Sequence, residues 1–239
     1  MKKHITLALF IAVLLGVLSI GCNKQPSEKT SVVEPSMVEM VEPSEKTSVG
    51  DTIVFGHEYG IPIMWYVLDK DKLNHRLMLL AMSEWAIFPY HEESEAVTWA
   101  GSTIRSWLNG YGSNQNKQRK DYTSVNFIKR VFTNEERARI AKLKVVNENN
   151  PEYGTPGGMN TQDQVFLLSI AEVETLLGED ICTKISCTTE WWLRSPGIHT
   201  DRAASVLFSR HANRGIIFRE GSEVSNSHVG VRPALWLNY

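Results

Sequence analysis

Trp191-Trp192-Leu193, Ala204-Ser205-Val206-Leu207-Phe208, Gly215-Ile216-Ile217-Phe218 and residues 229–237 are four short apolar runs separated by polar turns. Their β-branched and aromatic content and their spacing predict a chain end built of strands. Immediately upstream the pattern changes. Val165-Phe166-Leu167-Leu168 reads as a buried strand that feeds straight into Ser169-Ile170-Ala171-Glu172. Ser followed three residues later by Glu is a capping box, in which the hydroxyl takes an orphan amide and the carboxylate reaches back. Val173, Leu176 and Leu177 continue this helix and Gly178 stops it. A second box, Thr133-Asn134-Glu135-Glu136, starts a helix carrying Ala138, Ile140 and Ala141. A third helix is expected after Ser102, with Ile104, Trp107 and Leu108 as its stripe and Asn109-Gly110 as its end. Near the start, residues 52–55, 63–68 and 77–81 read as an antiparallel meander. Strands, then about three helices, then strands indicate an α+β domain and not a doubly wound parallel sheet. Residues 111–122 are polar and contain glycine and read as a loop, and residues 147–164, rich in Asn, Gly and Pro, are expected to be an exposed loop.

The front of the chain is different. Met1-Lys2-Lys3 is a basic start, an unbroken apolar run follows over residues 5–20, and Gly21-Cys22 ends it. That is the pattern of a secretory signal peptide, and the run is shorter than the roughly 20 apolar residues a membrane span needs. Residues 22–49 are rich in Pro, Ser, Glu and Lys, without aromatics, and the seven-residue run at 26–32 recurs at 43–49. Such a stretch buries too little apolar surface to offset its chain entropy. It is expected to be a disordered tether with a reach of roughly 30 Å. The organisation expected is thus a signal peptide over 1–21, a linker over 22–49 and one domain over 50–239.

Composition narrows the function. The 239 residues are 42% hydrophobic and 22% charged, with a formal charge of −2. There is no basic footprint for phosphate backbones, so nucleic acid is not expected as a partner. Seven tryptophans point to a core rich in large rings, with one or two left for a binding surface. With Cys22 set aside, Cys182 and Cys187 are an even pair in an oxidising compartment, and a disulfide is the default. Two cysteines are too few for a zinc site, and no second Cys or His pair has zinc spacing.

Three stretches carry resemblances. Ser19-Ile20-Gly21-Cys22 resembles the bacterial lipobox. This implies that Cys22 is acylated and becomes the mature N-terminus, so that the protein is lipid-anchored and extracytoplasmic, with the bilayer as a partner. Asn23 at the next position implies the outer membrane in a host that has two. Trp191-Trp192-Leu193-Arg194-Ser195-Pro196-Gly197, followed by Gly230-Val231-Arg232-Pro233-Ala234-Leu235-Trp236-Leu237-Asn238, resembles the bacterial family called domain of unknown function 6273. Val49-Gly50-Asp51, Ile104-Arg105-Ser106-Trp107-Leu108-Asn109 and Asn149-Asn150-Pro151-Glu152-Tyr153-Gly154 add to that likeness in the same order. The resemblance implies a C-type-lectin-like fold of the sulfatase-modifying-enzyme branch, with residues 230–232 as its Gly-x-Arg closing strand.

The candidate site follows from the polar loops between these strands. Ser209, Arg210, His211, Asn213 and Arg214 lie in one stretch, and Arg219, Ser225, Asn226 and His228 in the next. Variable polar loops on a rigid scaffold are a common recognition surface. Trp191 is added because adjacent residues in a strand face opposite sides, so one of Trp191 and Trp192 is available for a surface. Arg194 and Arg232 are assigned structural roles, held by carbonyls or by an acid such as Asp201. No nucleophile elbow, His-Glu-x-x-His pair or phosphate loop is present. No cofactor, metal or catalytic residue is assigned, and His199, Asp201, His211 and His228 show no ligand spacing. Two functions are carried forward. The first is a surface-tethered, non-catalytic module that binds a glycan or protein in the envelope or outside the cell. The second is an oxidative enzyme similar to formylglycine-generating enzymes, which use a cysteine pair spaced like Cys182 and Cys187.

Overall fold

A computed structural model describes residues 43–179, 181–209 and 214–239. The expected signal peptide, Cys22 and the first copy of the repeat lie outside the described residues, as do Arg210, His211 and Asn213. Close packing is already in place ahead of Gly50. Thr47 is buried, and the Lys70 ammonium donates to the Thr47 carbonyl at 2.7 Å.

Three strands open the fold: β1 (Thr52–Glu58), β2 (Ile61–Asp71) and β3 (Arg76–Ala81), an antiparallel meander. The short β4 (Ala86–Ile87) follows. Helix α1 (Thr103–Asn109) starts where Ser102 Oγ accepts the Arg105 amide and ends at Gly110 in the left-handed conformation. Helices α2 (Phe127–Val131) and α3 (Asn134–Arg139) come next. Then β5 (Leu143–Val145) pairs with β6 (Thr161–Asp163), and β7 (Val165–Phe166) leads to α4 (Ile170–Glu172). Helix α4 continues as a π turn over Val173–Leu177 and closes at Gly178. Helix α5 (Ile181–Lys184) precedes β8 (Trp191–Pro196), β9 (Arg202–Ser209), β10 (Arg214–Glu223), β11 (Gly230–Val231) and β12 (Ala234–Asn238).

The strands form two five-stranded sheets, ordered β1-β2-β3-β12-β7 and β10-β9-β8-β11-β4, plus the β5–β6 ribbon. The last strand therefore does not stay with its sequence neighbours. It inserts between β3 and β7, antiparallel to both, so the chain end closes the sheet that the chain start began. The class is α+β, mostly antiparallel, with β11 parallel to β8.

Both capping boxes form. Among the described residues there are five α-helices rather than about three. The additional ones, α2 and α5, are single turns, too short for a periodic stripe to reveal. Helix α3 is also shorter than its apolar spacing predicts. Ile140 leaves the helix with extended backbone and bridges to Leu237, because sheet pairing claims it.

The expected exposed loop at 147–164 is the largest departure. Asn147, Asn150, Thr155, Thr161 and Asp163 are all buried. Asn150 Nδ2 donates to the carbonyls of Pro196 and Arg219, both at 2.9 Å, and Thr155 Oγ1 donates to Ile198 at 2.8 Å. Backbone this deep has to be satisfied internally, and the asparagines and threonines do so. Polar composition reads as solvent exposure in a sequence, but here it is used inward.

Candidate functional site

Among the described residues three arginines are buried, and each is held by a carboxylate. Arg232 donates through Nη1 to the Ala81 carbonyl at 2.8 Å and through Nη2 to Glu84 at 2.7 Å and to Ser186 O at 2.5 Å. Arg194 binds both oxygens of Glu172, one at 2.8 Å, and the Leu167 carbonyl at 2.8 Å. Arg105 Nε binds Asp163 at 2.9 and 3.1 Å, and its Nη1 donates to Ala100 O at 2.9 Å. The carboxylates on Arg194 and Arg232 are thus Glu172 and Glu84, not Asp201. A buried charge has to be paired, and Asp201 sits in the loop between β8 and β9, where its carbonyl accepts the Val224 amide.

Among the described residues, those expected to bind ligand are not brought together. Trp191 has no exposed surface, and neither has Trp192. Strand β8 is central in its sheet and is covered on both faces, so the alternation that gave one ring to solvent does not apply. Trp191 is withdrawn as a contact residue. Ser209 and Arg214 pair at one end of the β9–β10 hairpin. Ser225, Asn226 and His228 lie beyond the other end of β10. Ten extended residues separate these ends by about 30 Å. Arg214 and Arg219 border one shallow cleft beside α4 and α5, while Ser225, Asn226 and His228 border another with Arg202 and Glu223. Arg219 is tied to Glu174 and Glu152. These are two separate clefts, of about 430 and 450 Å³, not one surface.

A larger concavity lies elsewhere. Two adjoining clefts, of about 450 and 630 Å³, share Ala100, Asn114, Gln115 and Met159 as common lining. One extends over Thr98, Asn116, Lys117 and Thr200. The other extends over Arg105, Tyr111, Lys142, Asn160 and Gln162. Together they form a groove lined by the carboxamides of Asn114, Gln115, Asn160 and Gln162, by apolar Ala96, Val97 and Ala100, by one phenol and an exposed methionine, and by the cations Arg105, Lys117 and Lys142. Met159 is 78% exposed, and this costs apolar hydration in the free protein.

The floor is rigid. Asp163 accepts from Trp99 Nε1 at 2.9 Å, Thr161 Oγ1 at 2.6 Å and Tyr111 Oη at 3.1 Å, besides Arg105. Burial, and then the charge of Asp163, push the Tyr111 phenol far above its usual pKa, so it is a donor at any physiological pH. The wall that carries Met159 is fixed by close approach. A Cβ on Gly157 would lie 2.2 Å from the Glu148 carbonyl oxygen. Gly158, at φ +84°, has room for no more, since its Cβ would meet Thr98 Oγ1 at 2.6 Å. Asn147 Nδ2 donates to Met159 O at 2.7 Å. On the other wall, Lys117 Nζ binds Glu95 at 2.6 Å and the Ala96 carbonyl at 2.8 Å.

The sequence held a signal for this groove. Residues 114–118 and 160–164 are both dense in Asn and Gln. What was illegible is that stretches some forty-five residues apart face each other. The convergence is created by the β5–β6 pairing and by the Asp163 hydrogen bonds to α1 and its flanks.

Cys182 and Cys187 form a disulfide with Cα atoms 5.3 Å apart, within the ordinary range. Among the described residues no three His, Cys, Asp or Glu side chains converge as a metal site, and no helix is long and apolar enough to cross a membrane. No curated protein and no solved structure matches the chain. A family model does match, over residues 73–239, and it spans every element from β3 to β12 and both walls of the groove. The chain therefore belongs to the family described as domain of unknown function DUF6273.

Proposed function

We propose that this protein is a non-catalytic binding module, held at a bacterial envelope through an acylated Cys22, and that the groove along Met159 receives a saccharide. The observation that carries this reading is the lining itself. Carboxamides offer both donors and acceptors, as sugar hydroxyls require. Tyr111 and Met159 supply apolar surface of the kind that covers a pyranose C–H face. The scaffold beneath is fixed, so little ordering entropy is spent on binding. The buried Arg105, Arg194 and Arg232 are each committed to a carboxylate of the same domain. A saccharide ligand also agrees with the C-type-lectin-like fold implied by the family resemblance. The C-terminal residues Ser209, Arg214, Arg219, Ser225, Asn226 and His228 are secondary in this reading.

A glycan array probed with the full mature chain tests it. Binding that falls at least tenfold in Met159→Ala and Asn114→Ala, and not in Ser225→Ala, supports the groove. Binding lost only in the C-terminal variants moves the site, and failure on every glycan refutes the saccharide reading. The anchor has its own test. Cys22→Ala is expected to shift the protein from the membrane fraction to the soluble one, and an unchanged fractionation refutes acylation.

A further inference from the structure

The groove is unbalanced in charge, in a way that selects among saccharides. Its lining contains Arg105, Lys117 and Lys142 and no carboxylate. Proteins that hold neutral sugars use carboxylates to accept from sugar hydroxyls, since an ionised oxygen is the strongest acceptor available. Two carboxylates lie just behind this lining: Glu95, which pairs with Lys117, and Asp163, which is buried and fully occupied. Its two oxygens take hydrogen bonds from Trp99, Arg105, Tyr111 and Thr161. It neutralises Arg105 from below and has no lone pair left for a ligand.

Arg105 is thus paired within the protein, and the charge left over lies at the exposed lysines. Arg105 is only 6% exposed, so its guanidinium is positioned by the protein before any ligand arrives. Lys117 has Glu95 as a partner. Lys142 has no ion pair among the described residues; its ammonium lies 5.7 Å from the centre of the Tyr111 ring, the same ring that Arg105 approaches at 4.9 Å. Two cations thus approach one phenol at the groove's polar end, and the carboxamides continue from there. With Arg105 already paired by Asp163, Lys142 is the charge left for an incoming anion.

We infer that the groove is specific for an acidic saccharide, a uronate-containing chain whose carboxylate sits between Arg105 and Lys142 while its ring lies along Tyr111 and Met159. This rests on the saccharide reading above and adds the charge of the ligand.

The test is calorimetric titration of the full mature chain with tetragalacturonate and with its fully methyl-esterified form, which keeps the backbone and removes the charge. The acid is expected to bind about tenfold tighter than the ester, the gap a charge-assisted contact supports. Raising salt from 50 to 300 mM is expected to narrow that gap. Lys142→Gln, at an exposed position that leaves the fold unaffected, is expected to remove most of it. Equal affinity for acid and ester overturns the charge inference and leaves the saccharide reading standing. So does a gap that Lys142→Gln leaves unchanged. Displacement of the acid by millimolar inorganic phosphate, with equal affinity for monomeric galacturonate, marks a generic anion site and also overturns it. Failure to bind these and every neutral glycan sinks both.

Discussion

The Arg232 guanidinium lies 5.2 Å from the centre of the Trp191 ring while its Nη2 reaches Glu84 at 2.7 Å. One cation therefore joins a ring in the centre of one sheet to the segment that leaves β3 in the other. Burial pushes the Glu84 carboxyl up, but the charge of Arg232 and the Thr188 hydroxyl more than offset this and leave it below the usual range. Removing either partner strands the other out of water. Arg232→Met and Glu84→Gln are each expected to cost about 3–5 kcal/mol in urea unfolding. The double variant is expected to cost clearly less than the sum, because it leaves no orphan charge. Additive losses would show that the pair is not coupled.

His91 gives a pH dependence of defined sign. Its side chain is fully buried. Nδ1 accepts the Thr103 amide at 3.3 Å at the start of α1, so Nε2 carries the proton and donates to Glu95 at 3.0 Å. Burial lowers its pKa, and the hydrogen bond and charge of Glu95 only partly oppose this; Lys117 lowers it further and Glu93 raises it. The folded state thus binds the proton less readily than the unfolded one. Stability from this group is complete above the ordinary His pKa of about 6.5 and falls as pH drops below it. Urea midpoints from pH 7.5 to 5 are expected to decline in the wild type and to stay flatter in His91→Gln. Glu84, also lowered, contributes its loss further down, below about pH 4.3. Identical profiles for the two proteins would rule out His91 as the source.

Strand runs such as 204–208 and caps at Ser102, Thr133 and Ser169 are local, and local chemistry decides them. The insertion of β12 between β3 and β7 is not local. Nothing near residue 234 says that Ala234 pairs with both Leu80 and Phe166. The expectation that Trp191 is open to a ligand fails for the same reason, since its ring is buried and covered by Arg232 from another segment. The groove combines both cases. Its amide-rich walls are visible in the sequence, but their meeting depends on Asp163, whose four partner residues come from 99–111 and 161.

The wall that carries Met159 makes a direct prediction. Gly157 faces backbone oxygens of Asn147 and Glu148, both within 2.5 Å of where a Cβ would sit. Backbone does not give way as a side-chain tip does. Gly157→Ala is expected to cost about 1–3 kcal/mol, and to weaken groove binding beyond what the lost stability explains at a temperature where the variant is folded. Gly154, at which a Cβ meets nothing within 4 Å, is the control. Gly154→Ala pays only for its left-handed backbone and is expected to leave binding intact. A Gly157→Ala protein with wild-type affinity would mean that this wall does not shape the site.

The disulfide separates structure from chemistry. The Cys182–Cys187 bridge closes a loop whose Ser186 donates its amide to Met82 and accepts Arg232 Nη2 on its carbonyl. The bridge thus holds one of the acceptors of the buried cation, and the half-buried cysteines are shielded from reagents. A loop this short stabilises by about 2 kcal/mol through the unfolded chain. Cys182→Ser with Cys187→Ser is expected to lose that much and to leave groove binding unchanged. Thiol labelling of the native protein is expected to find no free thiol, and mild reductant to open the bridge only slowly. A bridge that opens at once under mild reductant and then binds Cu(I) tightly would instead fit a working thiol pair. That result would favour oxidative chemistry over a binding module, because a bridge kept for stability gains nothing from being easily opened.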